Sequence, residues 1–121
     1  MIGIGTDLVE LDRFRLALRR TPGLAERLFS DDERAYAARM ADPTERLAVR
    51  FAAKEAVMKA MGVGLGAFAM RDVEVVRAPG GAPSVRLWRG AARVAAERGV
   101  TQWQLTMTHT DRVAQAIAVA L

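Results

Sequence analysis

An α+β fold with a mostly antiparallel sheet is predicted for this chain, as a single domain over residues 1–121. Three observations predict it. Apolar residues alternate with a period of two at both ends of the chain and in one central stretch, the pattern of half-buried strands. Residues between these stretches carry helix starts, helix stops and a 3.6-residue apolar period. The later strands come as adjacent pairs joined by short turns, which suits antiparallel pairing and gives the order β, several helices, β-hairpin, helix, β-hairpin.

The first strand is expected over IGIGTDLV, residues 2–9, with Ile2 and Ile4 on one face and Gly3, Gly5 and Asp7 on the other. Asp12 is expected to cap a helix running to about Arg20, with Phe14 and Leu18 one turn apart. Thr21-Pro22-Gly23 breaks it, and a short helical turn follows to Phe29. Ser30-x-x-Glu33 is a capping box and opens a helix to about Met40. Asp42-Pro43-x-Glu45 combines a cap, a proline at the first helical position and an acid in the first turn, and opens the longest helix, to Met61. Gly62 stops it. Val73–Val76 and Val85–Trp88 flank the turn Pro79-Gly80-Gly81-Ala82-Pro83 as a hairpin. Residues 89–98 make an amphipathic helix ended by Gly99. Gln102–Thr108 and Val113–Leu121 form the last strand pair around Thr110-Asp111-Arg112.

Composition narrows the function. The chain has no cysteine, which excludes thiolate catalysis, disulfides and Cys-ligated zinc, and its single histidine excludes a multi-His zinc site in one chain. No apolar run is long enough for a membrane span. The N-terminus carries an acid where a signal peptide would carry its basic and apolar regions, so a cytoplasmic setting is expected. The formal charge is +4, which favours acidic partners. Nucleic acid is a competing reading, but only 6% of residues are aromatic and the cations are dispersed, so little is available for base stacking. Sixteen of the eighteen cations are arginine; the two lysines, Lys54 and Lys59, both fall in KEAVMK. A compact ammonium where guanidinium is otherwise used is either chance or a chemical choice.

Leu47, Phe51, Glu55 and Lys59 form one i,i+4 row of the long helix, so Glu55 extends an apolar stripe. The row fits either an ion pair between Glu55 and Lys59 or a carboxylate held at the edge of a cleft. Asp7 shares the glycine face of the first strand, where aspartate is disfavoured unless it ends the strand or serves a ligand. Asp7 and Glu55 together suit Mg²⁺, which takes one or two carboxylates plus waters and phosphate oxygens. Arg50, Lys54 and Lys59 can hold phosphates around such a metal. His109, between Thr108 and Thr110, is either a turn histidine or a phosphate contact. Gly62-Val63-Gly64-Leu65-Gly66 follows a helix instead of a strand, so it reads as a helix stop and mobile loop, suited to a lid or tunnel wall, and not as a phosphate cradle. Arg13, Arg15, Arg19 and Arg20 make a basic first helix, either simply solvated or a docking face for an acidic protein.

These motifs resemble, in order and spacing, the holo-[acyl-carrier-protein] synthases, the small bacterial 4′-phosphopantetheinyl transferase family. GIGTDLVELDRF at 3–14 resembles its opening motif, and RFAAKEAVMKAMG at 50–62 its central helix. GAP at 81–83 matches its hairpin turn, and LTMTHTDRVAQAIAV at 105–119 its closing strand pair, with threonine at Thr106 where serine is frequent. The resemblance implies transfer of the phosphopantetheine arm of coenzyme A to a serine of an apo acyl carrier protein, releasing adenosine 3′,5′-bisphosphate, in fatty-acid or polyketide synthesis. It implies Asp7 and Glu55 as ligands of Mg²⁺ or Mn²⁺, and Lys59 beside the departing phosphate. It implies Arg50, Lys54, His109 and Thr110 as coenzyme A contacts, and Arg13, Arg19 and Arg20 as contacts to the acidic carrier. It also implies a homotrimer with active sites between subunits. Intact Asp7, Glu55 and Lys59 argue against a non-catalytic scaffold.

Overall fold

The computed structural model describes all residues from Met1 to Leu121. In chain order the elements are β1 (Gly3–Glu10), α1 (Leu11–Arg20), α2 (Leu24–Leu28), α3 (Asp31–Ala38), α4 (Pro43–Ala60), a 3-10 turn (Met70–Asp72), β2 (Val73–Arg77), β3 (Pro83–Leu87), α5 (Arg89–Glu97), β4 (Trp103–His109) and β5 (Val113–Ala120). The expected order holds. The strands divide into two antiparallel sheets, β1-β5-β4 and β2-β3.

Local chemistry explains most boundaries. Ser30 and Glu33 make both bonds of the capping box at the start of α3. Asp42 accepts the backbone N–H groups of Thr44 and Glu45 at the start of α4, with Pro43 at its first position. The expected cap by Asp12 does not form: α1 starts two residues earlier, at Leu11, directly from the end of β1, with Glu10 at the cap position and no side-chain cap bond. The strand's last backbone groups feed straight into the helix, so the chain leaves no loop for Asp12 to close.

Helix α4 lies across one face of the larger sheet and is the centre of the core. Its Ala52, Ala53, Ala56 and Ala60 are buried, as are Ala114, Ala116, Ala118 and Ala120 of β5. On β1 the facing residues are Gly3 and Gly5. A Cβ on Gly3 would lie 1.9 Å from the Ala60 carbonyl oxygen, and one on Gly5 2.0 Å from that of Ala56. No real contact is that short, so β1 meets α4 backbone to backbone and only glycine fits. This close approach carries Asp7, two residues beyond Gly5, up against the last turns of α4.

The opposite sheet face is apolar and uncovered. Pairing sets Ile4 opposite Val119, Thr6 opposite Ile117 and Leu8 opposite Gln115. Ile4 is 59% exposed and Leu8 60%. A half-buried strand normally turns such residues inward.

Candidate active site

Asp7 and Glu55 line one open cavity of about 420 Å³ where β1 meets α4. Leu8, Val9, Phe14 and Phe51 supply its apolar wall, and Arg13 stands at its edge. Phe14 and Phe51 stack at 5.3 Å between ring centroids, fixing the wall against Glu55. Glu55 is held above the ordinary glutamate range, first by burial and then by the charge of Asp7, while Lys59 opposes both. A carboxylate that feels a second carboxylate in a half-buried wall attracts a cation.

One cation is already there. Lys59 Nζ donates to Asp7 Oδ1 at 3.2 Å and to the Thr6 carbonyl at 2.9 Å. The ion pair within α4 between Glu55 and Lys59 is not formed; Lys59 reaches across to β1 instead. Its side chain is 54% exposed, so the ammonium is available to a ligand. The remaining donor set fits a hard cation. Asp7 and Glu55 line the same cavity, and no group of three or more His, Asp or Glu side chains in the chain is arranged to hold a metal ion. Such a site leaves most positions to water and to phosphate oxygens, as Mg²⁺ prefers.

Arg50 and Lys54 do not join this site, contrary to expectation. Both are buried on another flank of α4, Lys54 about 100° and Arg50 about 140° round the helix from Glu55. Lys54 Nζ donates to Glu33 Oε1 at 2.8 Å, to the Met70 carbonyl at 3.2 Å and to the Val73 carbonyl. All three ammonium donors are thus consumed inside the protein, and no phosphate reaches them. Burial lowers the Lys54 pKa, and the charge of Glu33 holds against it. Arg50 lies over the Tyr36 ring at 4.4 Å, beside Arg39 and Arg77, at a different cavity from that of Asp7. Its pKa is lowered by burial and then by Arg77.

His109 ends β4 two strands across from Asp7 and level with Val9, two residues along the register, and Thr110 follows in the turn. His109 Nε2 sits 3.5 Å from Glu45 Oε1 at the first turn of α4. Thr110 Oγ1 accepts the N–H groups of Arg112 and Val113, closing the turn while keeping its own proton to donate. Arg13 is 82% exposed and within 3.8 Å of Glu10. Arg19 and Arg20 are exposed at the far end of α1, Arg20 two turns along from Arg13. The loop after α4 turns through Gly62 and Gly66, both at positive φ, and leaves Leu65 exposed.

Sequence reasoning missed two partners. Glu33 was visible only as a capping residue, and its burial under Lys54 was not. Glu45 was visible only as a first-turn acid. The available signal for Glu33 was the rare lysine itself, whose compact charge needs a buried acceptor.

Comparison with known proteins matches this arrangement over the whole chain. Residues 3–119 match the model of the 4′-phosphopantetheinyl transferase superfamily. A holo-[acyl-carrier-protein] synthase of Frankia casuarinae is 47% identical over 120 residues, covering 99% of this chain and 97% of that protein. The crystal structure of the holo-[acyl-carrier-protein] synthase of Neisseria meningitidis superposes with a TM-score of 0.91 at 30% identity, covering 100% of this chain and 98% of that one. The Helicobacter pylori synthase in complex with coenzyme A superposes with a TM-score of 0.85 at 25% identity, covering 98% and 99%. The match runs the length of the chain, and the chain belongs to the 4′-phosphopantetheinyl transferase superfamily, among its holo-[acyl-carrier-protein] synthases.

Proposed function

We propose that this chain transfers the 4′-phosphopantetheine arm of coenzyme A to a serine of an apo acyl carrier protein. The carboxylate pair of Asp7 and Glu55, with the Lys59 ammonium at its edge, is the observation that carries the reading. The serine oxygen forms a bond to the phosphorus that bears the pantetheine. The bridging bond to the nucleotide phosphate breaks, and adenosine 3′,5′-bisphosphate leaves with the electron pair. The serine proton passes to Glu55 or to water.

Asp7 and Glu55 would hold Mg²⁺, with Mn²⁺ as an alternative; when bound, it supplies charge neutralisation for the pyrophosphate. Lys59 is exposed enough to meet the departing phosphate and neutralise its new charge. The apolar wall of Phe14 and Phe51 limits water beside the pair. His109 and the Thr110 hydroxyl would hold nucleotide phosphates at a site shared with a neighbouring subunit. Arg13 at the cavity rim, with Arg19 and Arg20 along α1, would steer and seat an acidic carrier.

A homotrimer with active sites between subunits is part of this reading. The uncovered apolar face of Ile4, Leu8 and Ile117 supports it, since a lone small domain gains by burying such a face. No helix is long and apolar enough to cross a membrane. A cytoplasmic site of action belongs to the same reading.

The test is a mass spectrum of an apo acyl carrier protein after incubation with this chain, coenzyme A and Mg²⁺, with a chelator control. A gain of one phosphopantetheine arm that disappears on chelation is the expected result. No gain across several carriers would overturn the assignment.

A further inference from the structure

Helix α4 is gripped from two sides, and Glu55 lies between the grips. On one flank Gly3 and Gly5 bring β1 against the carbonyls of Ala60 and Ala56. On another, Lys54 is tied to α3 through Glu33, to the 3-10 turn through Met70 and to β2 through Val73. Glu33 is used as completely. Its Oε1 accepts from the Ser30 N–H at 2.9 Å and from Lys54, and its Oε2 accepts from the Val75 N–H at 2.9 Å. Next to it, Glu74 accepts from Ser30 Oγ at 2.6 Å and from the Trp88 indole at 3.1 Å. One buried carboxylate thus caps α3, neutralises α4 and satisfies β2.

Directional bonds do what apolar packing does not. An apolar pair of similar volume would hold α4 down about as firmly, but its contacts leave rotation about the helix axis soft. Three donors on Lys54 facing three acceptors on three elements fix that rotation. A rotation of about 20° would move a side-chain tip about 2 Å at the ~5–6 Å radius of a helix. Mg²⁺ binds oxygen at about 2.0–2.1 Å in near-ideal octahedral geometry, so a shift of that size disrupts a site built on two protein ligands.

We propose that Lys54 and Glu33 are positioning residues of the active site, holding α4 at the rotation that aims Glu55 at the cation shared with Asp7. This rests on the metal-site reading above. It also explains why an arginine-rich chain keeps lysine at this position: a planar guanidinium cannot direct its donors to three acceptors around one point.

The test compares the wild-type chain with the double variant Lys54→Met/Glu33→Gln, which keeps volume and removes both charges together. Mn²⁺ affinity is read by electron paramagnetic resonance without coenzyme A, transfer kinetics are read on the same samples, and folding is checked by thermal melting. The folded double variant should bind Mn²⁺ about 10–100-fold more weakly, the loss seen when groups that orient metal ligands are removed. Its kcat should fall in step, with KM for coenzyme A within about threefold of wild type. A folded variant with wild-type Mn²⁺ affinity and kcat would overturn the proposal. Amide exchange on the wild type gives a reading that needs no variant. The Val75 and Ser30 N–H groups should exchange only through global unfolding, and faster local exchange at both would also overturn it. A wild-type chain that binds no Mn²⁺ and transfers without metal would instead remove the metal-site reading, and this inference with it.

Discussion

Lys54 and Lys59 stand five residues apart on one helix, and nothing in their chemistry as free side chains distinguishes them. Lys54 is fully buried, spends every donor on protein acceptors and belongs to the flank where α4 meets α3 and β2. Lys59 is more than half exposed, touches only Asp7 and the Thr6 carbonyl, and belongs to the flank where α4 meets β1. The buried flank is complete in itself. The open flank has two carboxylates and a cation with capacity left over for a ligand. Burial and acceptor count, more than residue type, separate the lysine whose donors are all used from the lysine with a donor left for a ligand.

The sharpest break of this comparison lies on the open flank. Asp7→Ala or Glu55→Ala should lower transfer by at least about 10³-fold, roughly 4 kcal/mol of transition-state stabilisation, with the melting transition retained. Mass-spectrometric rates on an apo carrier check this, and a near wild-type rate in either variant would refute the metal assignment.

Exchanging the lysines for methionine separates the two flanks directly. Lys54→Met leaves Glu33 buried and unpaired and should cost about 3–5 kcal/mol of stability. Lys59→Met should cost at most about 1 kcal/mol, because the pair it breaks is solvent-facing. Its transfer rate should nevertheless fall by about 10²–10³-fold through lost charge stabilisation. Urea unfolding and transfer rates on both variants decide it. If Lys59→Met proves the less stable of the two, the division between flanks fails.

How far the sequence revealed this division depends on the range of each interaction. The elements were legible because their signals are local: a capping box, a proline at the first turn of α4, alternation in β4 and β5. Asp7 and Glu55 were legible because a carboxylate on a glycine face and another on an apolar row are locally anomalous. Lys54 was misread as a phosphate contact because its three acceptors come from residues 33, 70 and 73, distant in sequence. Periodicity placed Lys54 on α4 without showing which neighbour that face meets. The division into two sheets was equally hidden, since pairing between strands 100 residues apart leaves no local mark. The resemblance to the family implied Lys54 as a contact together with Asp7, Glu55 and Lys59, whereas the fold buries Lys54 on a different flank from those three.

Charge at the cavity rim gives a smaller effect. Arg13→Glu should weaken binding of an acidic carrier about tenfold, mainly through the association rate, and the loss should shrink as salt is raised. Coenzyme A affinity should fall less, because Arg13 stands only at the edge of the cavity and projects from α1 into solvent. Stopped-flow association at two salt concentrations tests this. An unchanged carrier affinity would remove α1 from the docking surface.

The smallest effect concerns stability, and its sign runs against the loss of function. Glu55 has a folded-state pKa raised above its ordinary value of 4.5, so the native chain binds its proton more readily than the unfolded chain does. Stability therefore falls as pH rises through the window from 4.5 to the raised value, and the ionised carboxylate remains a burden at neutral pH. Glu55→Gln removes that burden. At pH 7 the variant should be more stable than wild type, by less than about 1 kcal/mol because the site is open to solvent. The advantage should vanish below the ordinary glutamate range, where both side chains are neutral. Urea unfolding at neutral and acid pH measures it. A variant less stable than wild type at pH 7 would mean that Lys59 outweighs burial and Asp7, and that the open flank is a closed ion-pair network instead of a site with capacity for a cation.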